Sequence, residues 1–302
     1  MLRGLGGVYE VETPDGVVEA RLRGRVKRDE RSGDKVVVGD RVDVVSEETA
    51  AGPDWVVTRV HERRTVLARR SPGKAPRAKP IVANVDQVLV VFAAANPSPH
   101  LRMLDRFLVI CESGDLDAHI IVNKTDVSGM EAARAMFAPY ERAGYPVTYT
   151  AARDGVGVAE THALLCGRLS ALTGPSGVGK SSLLNAVQPG LGLRVSAVSE
   201  AVNKGRHTTV TAQLIPLECG GYVADTPGLR EVGLWGIDTD ELDLLFPEFR
   251  PYLSTCRFGN TCTHVHEPGC AIRGAVDGGD LDAGRYESYR RMMLGEDDFS
   301  RS

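Results

Sequence analysis

The chain has 302 residues, enough for two or three domains each with its own core. Its hydrophobic share of 42% and charged share of 25% are ordinary for a globular protein, and no apolar run approaches the ~20 residues of a membrane-spanning helix. The net charge of −4 hides a basic N-terminal part, and the opening MLRGLGGVYEVETPDG lacks a signal-type apolar stretch, so a cytoplasmic protein with no membrane contact is expected.

Residues 1 to about 70 read as short strands: VYEVE, VVEARLRGRVK, KVVVGDRVDVV and DWVVTRV, with turns at Pro14-Asp15-Gly16 and Ser32-Gly33-Asp34. This pattern predicts a small closed barrel. An oligonucleotide-binding (OB) barrel fits best, and an SH3-like barrel leaves almost the same trace. Residues 1–80 carry 17 Lys/Arg against 13 Asp/Glu, peaking at Arg63, Arg64, Arg69, Arg70, Lys74, Arg77 and Lys79. Such a cluster suits a phosphate backbone or a solvated linker equally well. SPGKAPRAKP, ending at Pro80, is read as linker. The expected division is 1–72 for the barrel, 73–83 for the linker, 84–236 for an α/β core and 237–302 for a tail.

From Asn84 the pattern changes to apolar strands (VDQVLVVFAA, DAHIIV, PVTYT) alternating with amphipathic helices (LRMLDRFLVICES, GMEAARAMFAPYERAG). That alternation predicts a parallel sheet covered on both faces. Asn123-Lys124-Thr125-Asp126 follows DAHIIV. A carboxylate at Asp126 can accept from guanine N1–H and its 2-amino group, and adenine offers neither donor. Stranding a buried polar group in this way discriminates by roughly 10⁴–10⁵. Asn123 and the stem of Lys124 would hold the loop and cover the base. Taken alone, the tetrapeptide is an ordinary strand-to-helix turn. Thr150 and Ala151 are placed to support the base through their backbone.

Gly174-Pro175-Ser176-Gly177-Val178-Gly179-Lys180-Ser181, followed by Ser182, matches G-x-x-x-x-G-K-[ST] between an apolar strand and a helix. Its glycines let backbone N–H groups curl around a β-phosphate at a helix N-terminus. Lys180 would reach the β- and γ-phosphates, and the Ser181 hydroxyl would ligate Mg²⁺. With this loop present, the Asn123–Asp126 turn points to a guanine nucleotide. Lys204-Gly205-Arg206-His207-Thr208-Thr209 is a switch-type loop, in which Thr208 and Thr209 are equally placed to complete the Mg²⁺ shell. Asp225-Thr226-Pro227-Gly228 closes the strand GYVA; Asp225 can hold Mg²⁺ through water, and the Gly228 N–H can approach a γ-phosphate. Leu229 stands where many GTPases carry a water-orienting glutamine. Leucine cannot position water, which leaves His207 as the candidate catalytic residue and predicts a low intrinsic rate. The base-reading motif comes before the phosphate loop, a circular permutation that the ligand tolerates because both loops lie at one sheet edge.

Cys111, Cys166 and Cys219 stand isolated in apolar surroundings and are expected in the core. Cys256-x₅-Cys262-x-His264-x₅-Cys270 supplies a complete tetrahedral set for one structural Zn²⁺, with His266 as a rival ligand. The surrounding Gly/Pro/Thr-rich sequence predicts that metal supplies the folding energy of the tail.

Together the barrel, NKTD, GPSGVGKSSLLN, GRHTT, DTPG and the Cys/Cys/His/Cys tail before Glu267-Pro268-Gly269 resemble the ribosome-small-subunit-dependent GTPase A family (RsgA, also called YjeQ). The resemblance implies an α/β P-loop GTPase core in permuted order, an N-terminal OB-fold and a C-terminal zinc domain. It also implies GTP hydrolysis stimulated by the small ribosomal subunit during its late assembly, with that subunit and its rRNA as partners. Basic residues 63–79 and the C-terminal helix LDAGRYESYRRMML are expected to touch the RNA phosphates. A monomer is expected. The missing glutamine at Leu229 and the compensating histidine at His207 match the family. Val210 departs from the frequent third threonine, and the first Cys–Cys gap is one residue longer than usual.

Overall fold

The computed structural model describes residues 1–24, 26, 35–49, 52–70, 78–191, 193, 212–225 and 239–296. β1 (Arg3–Leu5), β2 (Val8–Thr13) and β3 (Gly16–Leu22) form an antiparallel meander. β4 (Val42–Thr49) and β5 (Gly52–Val60) form a hairpin, and β5 runs parallel to β3, giving the order β1-β2-β3-β5-β4 around Val11, Ala20 and Val57. This is a partly open barrel of the OB type. The strand pattern predicts a closed barrel, but a pairing of β1 with β4 that would close it is not among those of the described residues. The second edge of β1 is used instead on a core strand, β12 (Gln213–Pro216), at Arg3↔Gln213, so barrel and core share one sheet.

β6 (Val66–Arg70) and β7 (Ala78–Ala83) pair antiparallel as a second sheet. The end of the expected linker is thus a strand, because the apolar Val82 and Ala83 are fully buried there; residues 71–77 lie outside the described part. The turn before β4 packs against this strand at Gly39, at φ +85, where a Cβ would lie 2.1 Å from the Ala83 carbonyl oxygen. Next to it the buried Asp40 accepts from Arg63 Nε at 2.7 Å, Arg63 Nη2 at 2.9 Å and the Val37 N–H at 2.8 Å. Arg64 donates to Asp86 at 2.8 Å. Two members of the expected phosphate-binding cluster therefore hold the strands together.

The core sheet has the parallel order β10-β9-β8-β11-β13, from β8 (Gln87–Ala93), β9 (Ala118–Asn123), β10 (Val147–Tyr149), β11 (Leu169–Thr173) and β13 (Tyr222–Asp225). Every residue of β8 is buried, and its side chains alternate between two cores. Val88, Val90 and Phe92 join Leu104 and Phe107 of α1 (Leu101–Ser113); a short α2 (Thr125–Ser128) follows β9, and Phe137 of α3 (Met130–Arg142) joins the same cluster. Leu89, Val91 and Ala93 join Leu165 of α4 (Val158–Leu165) and Leu183, Leu184 and Val187 of α5 (Lys180–Val187). This explains why the strand sequence is continuously apolar. The chain builds outward from β8 through β9 to β10, then returns to the other side as β11. The reversal between β8 and β11 is the switch point at which such sheets bind ligands.

The tail carries α6 (Arg250–Leu253), α7 (Ala271–Asp277) and α8 (Ala283–Met293). It has its own aromatic core of Phe246, Phe249 and Tyr289, with ring centroids 5.0–5.4 Å apart. The Gly/Pro/Thr-rich stretch that carries the cysteines packs against these rings, so apolar contacts from outside 256–270 stand beside the metal expected to fold the tail. Among the described residues no helix is long and apolar enough to cross a membrane.

Candidate nucleotide site and metal centre

The loop from β11 to α5 has little choice of residue. Gly174, Gly177 and Gly179 have φ of +132, +78 and +95, and a Cβ on Gly174 would lie 2.0 Å from the Val91 carbonyl oxygen. Buried Val178 anchors the loop in the second core cluster. Pro175 is half-buried and Ser176 exposed, while Ser181 and Ser182 stand half-buried in the first turn of α5. Lys180 Nζ donates to the Gly174 and Pro175 carbonyls at 2.7 and 2.6 Å, which keeps the ammonium within the loop.

The loop after β9 sits directly on this one. Asn123 Nδ2 donates to the Val178 carbonyl at 3.0 Å, and a Cβ on Gly179 would lie 2.5 Å from that nitrogen. On its other side Asn123 Oδ1 accepts from the Thr150 hydroxyl at 3.0 Å and the Ala152 N–H at 3.3 Å. Lys124, in a left-handed conformation at φ +61, donates from Nζ to the Gly177 carbonyl at 2.7 Å and also to the Asn96 carbonyl. Thr125 donates from both N–H and hydroxyl to the Thr150 carbonyl, at 3.1 and 3.0 Å. Asp126 opens α2 exposed, and Ala151 is buried with its N–H donated to Val156. Thus the C-terminal ends of β9, β10 and β11 meet at one sheet edge. Sequence reasoning missed the Asn96 carbonyl as the second anchor of Lys124; the Asn96-Pro97 turn after β8 was the available signal.

Asp225 ends β13, the neighbour of β11 in the ladder, at the same edge. His207, Thr208, Thr209 and Val210, together with Gly228 and Leu229, lie outside the described residues.

The tail brings Cys256, Cys262, His264 and Cys270 together, all buried, with their ligand atoms within 4.8 Å of one another. His264 Nδ1 lies 3.5 Å from Cys256 Sγ and 3.4 Å from Cys270 Sγ, and its Nε2 faces Asp243 at 3.3 Å. A carboxylate behind a ligand histidine fixes its ring and tautomer; Asp243, far away in sequence, was not foreseen. Burial opposes charge on all three thiols and pushes Cys262 up to about 12. Against that same burial, the Ala271 and Ile272 N–H groups hold Cys256 below its usual value. Three adjacent thiolates need a cation to coexist, and three sulfurs with one imidazole are the donor set of a closed Zn²⁺ site. His266 is exposed and outside the cluster. His264 is held at φ +60 by its loop, where Glu267 accepts from the Thr263 hydroxyl and from the N–H groups of Thr263, Val265 and His266. Against the cost of burial, these donors keep the Glu267 carboxyl at about 2.

Two expectations need correction. Cys111 is buried as expected, but Cys166 and Cys219 form a disulfide at the surface, since parallel pairing of β11 with β13 brings the segments before these strands side by side. The basic C-terminal helix is not a free phosphate-binding face either. Arg285 is buried on Asp105 and Glu248, and Arg290 and Arg291 pair with Glu287.

The RsgA GTPase family model matches residues 60–235, and the RsgA N-terminal domain model matches residues 1–53. The chain is 54% identical to the small ribosomal subunit biogenesis GTPase RsgA of Gemmatimonas aurantiaca, covering 97% of this chain and 95% of that one. The namesake from Moorella thermoacetica is 44% identical, again covering 97% and 95%. Among solved structures, YjeQ from Thermotoga maritima is 34% identical with a TM-score of 0.78, over 97% of this chain and 96% of that one. YloQ, described as a circularly permuted GTPase, is 31% identical with a TM-score of 0.74, over 97% and 92%. With its phosphate loop and its NKTD loop interlocked in permuted order, the chain belongs to the RsgA GTPase family.

Proposed function

We propose that this chain binds GTP with Mg²⁺ at the edge formed by β9, β11 and β13, hydrolyses it to GDP and phosphate, and serves late maturation of the small ribosomal subunit. The observation that carries this reading is the direct seating of Asn123 and Lys124 on the backbone of Gly177 and Val178. One ligand bound there touches a phosphate cradle and a purine-reading loop together. In this reading the Gly174–Gly179 N–H groups and Lys180 hold the phosphates, Ser181 and either Thr208 or Thr209 ligate Mg²⁺, and Asp225 holds it through water. Asp126 accepts from the guanine edge, Thr150 and Ala151 back the base, Gly228 follows the γ-phosphate, and His207 orients the attacking water. Zinc, held by Cys256, Cys262, His264 and Cys270, is structural: four protein ligands leave no position for substrate. The names of the relatives support the small subunit as the partner. The three-part division into barrel, permuted core and zinc tail, a monomeric state and a cytoplasmic location complete the proposal.

The test is GTP turnover of the full chain with and without purified small subunits. The wild type should be slow alone and stimulated at least tenfold by subunits, while Lys180→Ala should lose turnover in both settings. Equal turnover with and without subunits would remove the ribosomal part of the reading. A fully active Lys180→Ala would remove the nucleotide site.

A further inference from the structure

Away from the nucleotide edge, three side chains with sulfur or imidazole chemistry meet at the opposite end of the sheet. Cys166 follows α4, Cys219 lies in the β12–β13 turn, and His162 stands one helical turn before Cys166. Their ligand atoms lie within 4.8 Å of one another. His162 and Cys219 are exposed, and Cys166 is half-buried. His162 Nδ1 and Nε2 lie 3.5 and 3.7 Å from Cys166 Sγ.

The approach of the two cysteines is set by backbone, not by the sulfurs alone. The Gly167 N–H donates to the Gly220 carbonyl at 2.9 Å, and the Tyr222 N–H donates to the Arg168 carbonyl at 2.8 Å. Gly221, at φ +85, comes so close that a Cβ would lie 2.5 Å from the Arg168 backbone. These contacts continue the β11–β13 ladder and leave the cysteine Cα atoms 5.3 Å apart, within bridging range. The backbone contacts thus hold the pair together at a place reachable from solvent.

We propose that Cys166 and Cys219 form a reversible thiol modification site, with a low-molecular-weight disulfide as the oxidant and a small thiol as the reductant. His162 takes the Cys166 proton, and the resulting thiolate attacks one sulfur of RSSR. A Cys166–S–S–R bond forms and RS⁻ leaves. Cys219, deprotonated to solvent, then attacks the Cys166 sulfur, breaks its bond to SR and releases a second RS⁻. Two thiols are oxidised, one disulfide is reduced to two thiols, and the two protons end on the released RS⁻ groups. Cys166 is the entry point because an imidazole in contact favours the thiolate. The bond fastens the β12–β13 turn to the start of β11, two segments whose far ends carry Asp225 and the phosphate loop. The inference does not depend on which nucleotide that edge binds.

The test uses the zinc-loaded full chain, reduced, desalted and exposed to oxidised glutathione. Two thiols should disappear, and an unreduced digest should show one peptide bridging Cys166 and Cys219, reopened by dithiothreitol. Cys219→Ser should accumulate a mixed disulfide on Cys166, whereas Cys166→Ser should react at least tenfold more slowly at Cys219. His162→Asn should slow the first step about tenfold and leave the end point unchanged. Persistence of both free thiols, or modification confined to Cys256, Cys262 or Cys270, would overturn the proposal. So would a second equivalent of zinc in the reduced chain that both serine variants lose, since the trio would then be a metal site.

Discussion

Asn123 and Asp126 are three residues apart, yet the structure gives them opposite kinds of work. Asn123 is 2% exposed, and its amide binds the Val178 carbonyl, the Thr150 hydroxyl and the Ala152 N–H. Asp126 is exposed and binds none of these groups. The first is a rivet between loops and the second is free to meet a ligand. Asn123→Ala leaves several buried polar groups without their partner, each costing about 1–3 kcal/mol. It should therefore lower stability by about 2–4 kcal/mol in urea unfolding and weaken GTP and xanthosine triphosphate alike. Asp126→Asn should leave the unfolding midpoint unchanged and shift preference from guanine to xanthine, whose C2 carbonyl accepts from the new amide. Unaltered GTP preference in Asp126→Asn, measured by competition between the two nucleotides, would end the base-reading assignment.

At the scale of elements the tail is the most informative, because a buried metal-type ligand set and apolar packing share one cluster. The cysteine sulfurs share one cluster with Phe246, Phe249, Tyr289 and Met292, and α8 holds the metal loop through the Tyr286 hydroxyl on the His264 carbonyl and the Tyr289 hydroxyl on the Thr263 carbonyl, at 2.8 and 2.9 Å. Residues 254–270 have little regular structure and are expected to depend on the proposed zinc, while α8 also packs on α1 through Val109. Chelation of the purified chain should release one zinc equivalent and open 254–270 to protease before α8, as read by metal analysis and mass spectrometry of the fragments. Simultaneous cleavage within 283–293 would mean that the metal supports the whole tail. The ligand set was legible because Cys and His at short spacings have few other uses in such sequence. The parallel core was legible because strands buried on both faces must be continuously apolar, as β8 is. Strand β7 was hidden by the Pro and Lys residues around it, and the Cys166–Cys219 contact by a separation of 53 residues that only the β11–β13 pairing closes. Arg285 misled for a different reason. A charged residue on a helix reads as solvent-facing unless its distant carboxylate partners are known.

Over the whole molecule, the outer parts are tied to the core at several described points, among them a strand ladder and an ion network. The β1–β12 ladder joins the barrel to the hairpin that ends at Asp225, and among the described residues Arg285 makes the most deeply buried ion pair between tail and core. Its guanidinium donates to Asp105 of α1 at 2.7 Å and to both Glu248 oxygens at 2.8 and 3.0 Å, among the rings of Tyr140, Tyr145 and Phe246. Burial opposes its charge, but the two carboxylates keep it protonated far above the ordinary arginine range. The side chains of Arg285 and Asp105 are 3% and 1% exposed, so removing one partner strands a buried charge, which typically costs about 3–5 kcal/mol. Arg285→Ala should therefore split the thermal unfolding profile, with the tail melting first. Arg285→Lys should not restore it, because one ammonium cannot reproduce a fork that spans two carboxylates. The decisive measurement is a double-mutant cycle with Asp105→Ala. If the network couples tail to core, the double variant should lose less than the sum of the two single losses, by at least 1 kcal/mol. Additive losses, each under about 1 kcal/mol, would show that α8 is held by apolar packing alone and that the ion network is incidental to it.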